Sequence, residues 1–409
     1  MSKSLVETLI AQGVRIPCPA AVVVEDVDPA RIEAGVEIYP GSVVRGMKTL
    51  LRSGTRLGRA GGGWFENVRA GRNCDLYSGA FEDCVLRDGV IFRGHAEVRG
   101  GTLIEEGCEA AHHVAYKMTI LLPHVVAGSL INFCDALVSG GTSRADHSEI
   151  GSTLALYNFT PWGDKWASLF GDVPRGVFCR SPRIFIGGQT QIVSPVRVGF
   201  GAVLAAGCAV RRDVPAGRLY GEASTGFDEP FDGATLGALA PKFEATRAFI
   251  GQLWALRVWY ERVRVPVADH PLEAALSVDA IAQIDAGIEE RVKRLQKVVD
   301  RIPASAAEHA RRKLEAEQRG DDAVAERHAR RLREHAAVQG AWPAWRSRAT
   351  TQPAFDPTAL DIIARAFVTA RSAGPQIELV PWLSRMLEAG AVARGTAALD
   401  DVVEAVAGR

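Results

Sequence analysis

The chain has 409 residues, 47% hydrophobic and 23% charged, and its 48 basic and 48 acidic side chains cancel to a formal charge of zero. That length exceeds what one compact core usually holds, so two or more domains are expected. The charge balance excludes a protein devoted to bulk nucleic acid, which needs excess cations to displace counterions.

Residues 1–20 read as a short N-terminal helical segment without the apolar stretch of a signal peptide. From about residue 21 a different order begins. Ile32, Ile38, Val44 and Leu50 recur every sixth position, and so do Ile186, Ile192, Val198, Leu204 and Val210. A helix places apolar residues at intervals of three and four, and a half-buried strand alternates by two. A fixed interval of six, with Gly187, Gly199 and Ala205 directly behind their aliphatics, is the pattern of a parallel β-helix built from hexapeptide repeats. Each unit gives one short strand and one turn, three units close a coil, and the aliphatics stack along its axis.

Between residues 57 and 185 the period blurs, although Leu57, Val68, Leu76, Phe81, Val85, Val90, Val98 and Leu103 still read as coil positions. Across 154–183 it is lost, and this Trp-, Phe-, Pro- and Gly-rich stretch reads as one projecting loop, carrying function or packing on a neighbouring subunit. The coils end near residue 220, and 221–238 reads as a linker. The rest, 239–409, is an α-helical region. Residues 239–262 and 280–302 carry apolar side chains at helical intervals, whereas 305–338 reads as a solvated helix laced with ion pairs.

Two segments, GGQTQIVSPVRVGFGAVLAAGCAVRRDV (187–214) and HSEIGSTLALYNFTPWGDK (147–165), resemble the hexapeptide-repeat acyltransferases. Within that family they are similar to the acetyltransferase domain of the bacterial bifunctional enzyme that makes UDP-N-acetylglucosamine from glucosamine-1-phosphate. SLINFCD (129–135), GGTSRADHSEIGS (140–152) and GDVPRGV (171–177) also resemble a bacterial group named after UDP-N-acetylglucosamine pyrophosphorylase. The resemblance covers roughly 110–215, and more loosely the coils from residue 30. It implies a left-handed coil, a homotrimer with its site between subunits, and acetyl-CoA as cosubstrate for N-acylation of an amino sugar, sugar phosphate or nucleotide sugar. Uridylyl transfer is not expected, because neither a Gly-rich nucleotide loop nor βαβ alternation is present.

By the same resemblance, Asn158 and Phe159 match a substrate-contacting Asn-Tyr pair with the phenol oxygen lost, and Lys165 matches a loop lysine. Gly188 and Ala206 match the small residues that admit the pantetheine arm, and Arg211 or Arg212 takes the 3′-phosphate. Lys117 falls near a lysine that grips a sugar phosphate and joins Arg144 and Lys165 in an expected cationic cradle. Aligning Asp135 puts Ser129 where a catalytic histidine belongs and Asn132 where a tyrosine is expected.

Acyl transfer to an amine needs a base, and histidine suits neutral pH. His147, beside Asp146 and Glu149, and His124 are the candidates. No metal site is expected. His112 and His113 are adjacent, so on a strand they point to opposite faces. The Gly61-Gly62-Gly63 run lacks a strand-to-helix frame. The seven cysteines are odd in number and form no CxxC pair, so they read as thiols in a reducing cytoplasm. No apolar run reaches the roughly 18 residues a membrane span requires. The helical tail is expected to cap the last coil. The alternative to an enzyme is a β-helix that binds a sugar nucleotide, or serves as a scaffold, without transferring an acyl group.

Overall fold

The computed structural model describes residues 4–223, 232–374 and 376–408, so the middle of the expected linker, 224–231, lies outside the described residues. From Val23 to Tyr220 the chain winds as a parallel β-solenoid with three faces. The first face stacks ten strands from Glu37–Ile38 to Leu219–Tyr220. The second runs from Val23–Glu25 to Ala209–Val210, and the third from Leu50–Leu51 to Arg197–Val198. The strands Val114–Leu121 and Ile131–Val138 turn the corner between the second and third faces and join them into one sheet.

The interval of six is the stacking rule. Ile186 pairs with Leu204, Ile192 with Val210 and Val198 with Val214, and all six lie in the solenoid interior. Where the period blurs, aromatic rings replace aliphatics. Phe65 stacks on Phe81 at 5.5 Å, Phe81 meets Phe92 edge-on at 5.2 Å, and Phe92 meets Tyr116 at 6.0 Å. Cys74, Cys84, Cys108, Cys179 and Cys208 are buried free thiols, whereas Cys18 is exposed and Cys134 half-buried. Burial pushes the Cys74 and Cys84 thiols up to about 12, so neither is reactive.

A helix α1 (Leu5–Ala11) opens the chain, started by a reciprocal Ser4–Glu7 capping box. It puts Leu9 into the solenoid core. After the coils come α3 (Ala240–Trp259), α4 (Pro271–Gln318), α5 (Asp322–Thr350), α6 (Thr358–Ala373), α7 (Leu379–Arg385) and α8 (Ala389–Ala407). A short α2 (Val173–Gly176) lies within the solenoid segment.

The helices pack along the third face instead of capping the last coil. The reason is written in apolar doublets there: Leu50-Leu51, Val85-Leu86, Leu103-Ile104, Ile120-Leu121, Leu137-Val138 and Leu169-Phe170. The second member of each doublet points into the solenoid core and the first into the helical core. Burying one such side chain contributes about 1.5–3 kcal/mol, so this face has no stable exposed state.

Polar ties fix the register of α4. Gln283 accepts from Gly101 N (3.0 Å) and donates to Asp83 O (2.6 Å), Arg294 binds Asp135 (2.7 Å), and Arg301 binds Asp164 (2.9 Å). The helix thus climbs the corner between the second and third faces coil by coil.

The stretch 154–183 is not one projecting loop. It contains the coil strands Ala155–Tyr157 and Ser168–Phe170 as well as α2, and only the segments between them depart from the coil. Its aromatics pack on the chain's own helices, Trp166 against Phe243 and Phe178 against Trp259.

Candidate functional site

Three corners separate the faces, and the expected site residues are divided among them. The corner between the second and third faces carries Lys117, Asn132, Asp135 and the turn Asn158–Lys165. Lys117 pairs with Cys134 and Ala115 with Asn132 across the coils. Asp135 is buried and holds three partners: Arg294 at 2.7 Å, Arg291 at 3.5 Å and the Asn158 side-chain amide, which donates to its second oxygen. Burial outweighs the attraction of Asp135 and draws the Arg291 guanidinium down to about 10. Phe159 and Lys165 form an antiparallel bridge, with the ammonium 5.9 Å from the ring. Phe159 is 61% exposed, and Tyr157 and Val193 beside it are also exposed. Burial and then Asp135 raise the Cys134 thiol, while Arg99, Lys117 and Lys165 act against them, and Arg99 is itself paired with Glu97 at 3.2 Å.

Arg211 and Arg212 lie higher on this corner, between Val210 on the second face and Val214 on the third. Arg212 pairs with Glu222 at 3.3 Å and stacks 5.4 Å from the Tyr220 ring. Arg211 is exposed.

Gly188 and Ala206 occupy the corner between the first and second faces, where Gly207 N donates to Gly188 O at 2.9 Å. Coil-to-coil approach itself demands small residues here. A Cβ on Gly187 would stand 2.4 Å from Ala206 N, and one on Gly188 would stand 3.0 Å from Ser152 O. Ser129 belongs to the same corner, and the coil below it carries His112 and His113, whose carbonyls accept from Leu130 N (3.1 Å) and Ile131 N (3.2 Å).

These two histidines do not diverge as strand alternation predicts. The strand Glu109–His112 ends at His112, and His113 turns the corner with φ of 58°, so strand alternation stops there. Their Nδ1 atoms meet at 2.9 Å, and the His95 ring lies 5.0 Å from that of His113. Alignment by sequence missed this cluster because the partner of Ser129 comes from the preceding coil. Among the described residues no group of three or more His, Cys, Asp or Glu side chains is arranged to hold a metal ion.

The corner between the third and first faces carries His124, Arg144 and His147. Arg144 projects from this corner and pairs with Glu109 at 2.6 Å, so it does not join Lys117 and Lys165 in the expected three-cation cradle. Glu149 orients His147 as expected, with Nε2 to Glu149 at 2.9 Å, but Nδ1 faces Arg144 O at 2.8 Å, so neither ring nitrogen is left for a substrate proton. Asp146 turns away to Thr142 at 2.8 Å. Burial, helped by Arg144 and Arg385, lowers the His124 pKa against the pull of Glu106, so its ring is neutral near pH 7. Its buried Nδ1 has no hydrogen-bond partner. Neither histidine shares a corner with Asn158 and Lys165.

No family model matches the chain. Among curated proteins it is similar to the bifunctional protein GlmU of Pelobacter propionicus, 29% identical over 200 residues, which covers 47% of this chain and 40% of that protein. The GlmU proteins of Lawsonia intracellularis (28% over 212 residues; 52% and 42%) and of a Nostoc strain (25% over 215 residues; 53% and 43%) are similar to the same degree. The chain therefore spans about two-fifths of the length of the curated relatives it matches. The parallel solenoid agrees with the hexapeptide-repeat acetyltransferase half of such proteins.

Proposed function

We propose that the chain is an acetyl-CoA-dependent N-acyltransferase acting on an anionic amino sugar, at a junction between copies of a homotrimer. The observation that carries this reading is that one corner bears Lys117, paired with Cys134 across the coils, the Phe159–Lys165 bridge, and Asn158 fixed on Asp135. Cations so placed suit a sugar phosphate, and the exposed Phe159 offers a flat apolar surface to a sugar ring. Exposed Phe185, Val203 and Leu219, stacked in one ladder on the first face, and Tyr157 and Val193 on the second supply apolar surface for contacts between copies.

In this reading the corner bearing Gly188 and Ala206 in one copy meets the cationic corner of the next. Acetyl-CoA would supply the acyl group as a thioester, its pantetheine arm running past the small residues and its 3′-phosphate at Arg211. Lys117 and Lys165 bind the acceptor phosphate, and Asn158 orients the sugar. The base role moves from His147 and His124 to His112, an exposed histidine whose carbonyl accepts from Leu130 N, on the coil below Ser129. As the amine nitrogen bonds to the acyl carbon, His112 takes its proton and returns it to the departing sulfur, leaving an amide and a free thiol.

The test is thiol release with acetyl-CoA and glucosamine-1-phosphate. His112→Ala is expected to lower kcat by about a hundredfold or more, with His147→Ala and His124→Ala near wild type. Equal rates in all three would remove His112 from the mechanism. One observation favours a second reading, a sugar-phosphate-binding solenoid without transfer: the ion pairs of Arg291 and Arg294 close Asp135 in cis. Binding of the sugar phosphate with no thiol release from any amino-sugar acceptor would select it.

A further inference from the structure

Beyond the corners just described, a cleft of about 630 Å³ opens between the solenoid corner that carries His124 and the helices α6 and α7. Its volume is that of a site for a metabolite-sized molecule. Its floor is shaped by coil turns in the left-handed conformation, Gly89 (φ 71°) and Gly107 (φ 68°). Space is the reason for the second glycine: a Cβ there would stand 3.0 Å from His124 Nδ1 and 3.6 Å from Arg144 Cγ.

The charges lining the cleft divide into those already spent and those left over. Glu106 is held by Arg264 at 2.6 Å and Arg87 at 3.2 Å, Glu273 lies 3.6 Å from Arg52, and Asp269 lies 3.5 Å from Arg371. Arg144 is paired with Glu109. Arg72, from the coil turn, and Arg385, at the end of α7, line the same cleft, and among the described residues neither has an ion-pair partner. His124 Nδ1, packed against the Gly107 turn three coils from Arg72, is buried without a hydrogen bond. Two uncommitted guanidiniums, brought to one cavity from a coil turn and a helix end, form a recognition surface for an oxyanion. Asp88 and Glu378, also lining it, are acceptors for hydroxyl or amino groups on the same molecule.

We propose that this cleft is a second ligand site, separate from the acyl-transfer corner, which takes a phosphate ester of a polyhydroxy or amino compound. The phosphate lies between Arg72 and Arg385, and Asp88 and Glu378 orient the remainder. Because α6 and α7 form one wall, occupancy ties the end of the helical region to the coils.

The experiment is calorimetric titration and thermal shift of the full chain with glucose 6-phosphate, with glucose as the neutral control. Arg72 and Arg385 are exposed, so Arg72→Gln and Arg385→Gln should fold normally. Glucose 6-phosphate is expected to bind and to raise the melting temperature, and the double variant should weaken that binding by about tenfold or more. Glucose alone should give no shift. No binding by the wild type up to about 10 mM, or unchanged binding in the double variant, would overturn the proposal. Loss of binding in Lys165→Gln with full binding in the double variant would place the phosphate at the acyl-transfer corner and would also overturn it. The proposal survives if no acyl transfer is ever found.

Discussion

Arg264→Met tests how the helical region is locked to the coils. Arg264 is 2% exposed and lies just after α3. It grips Glu106 through two contacts of 2.6 and 2.8 Å and lies 3.5 Å from the fully buried Glu105, which also accepts from Tyr260 Oη at 2.6 Å. Burial alone would raise both carboxyls. Arg264 and then Arg87 outweigh it at Glu106 and hold that group down to about 2, whereas Glu105 remains raised. Removing one partner of a buried pair typically costs 3–5 kcal/mol, and because Glu106 keeps Arg87 the loss should be about 3 kcal/mol.

The pH dependence follows from the direction at Glu106. Its folded value lies below the unfolded 4.5, so its contribution is complete above 4.5 and is lost as pH falls toward 2. The deficit of Arg264→Met in denaturant midpoint should therefore be largest at neutral pH and shrink in acid. A loss under about 1 kcal/mol, or one that does not change with pH, would refute the reasoning.

Leu137→Ala removes a fully buried side chain from the seam between the third face and the helices. It should cost about 2–5 kcal/mol and speed hydrogen exchange in α4 more than in the first face. Ile192→Asp puts a charge on the solenoid axis and should abolish soluble folded protein, as read by circular dichroism. Burial lowers the pKa of His328 and His335, which cluster with His309 between α4 and α5. Their folded values lie below the unfolded 6.5, so this hairpin should hold full stability above that pH and weaken progressively below it. Tryptophan fluorescence against pH checks this, and His335→Gln should flatten the profile.

The solenoid was legible because its axis imposes one requirement on every coil, and Ile186, Ile192, Val198 and Leu204 meet it in unbroken sequence. The blur before residue 185 has two causes. Phe65, Phe81 and Phe92 fill the axis in place of aliphatics, and the corners absorb extra residues, as at 139–147, without disturbing the strands on either side. The docking of the helices was written as doublets such as Leu103-Ile104 and Leu137-Val138. A period of six counts only the inward member of each and leaves the outward one unread. Lys117 and Lys165 lie on one corner, whereas Arg144 projects from another. Residues on successive coils, such as His112 and Ser129, become neighbours through coil stacking, which linear spacing does not reveal.

Mixing two separately inactivated proteins tests the shared site most directly. His112→Ala disables one corner and Lys165→Ala the other, so each variant alone should release almost no thiol from acetyl-CoA. Unfolding and refolding them together should restore activity, because a mixed assembly contains junctions in which both corners are intact. Physically mixed trimers that stay inactive, made from a wild type that is active, would contradict a site built between copies.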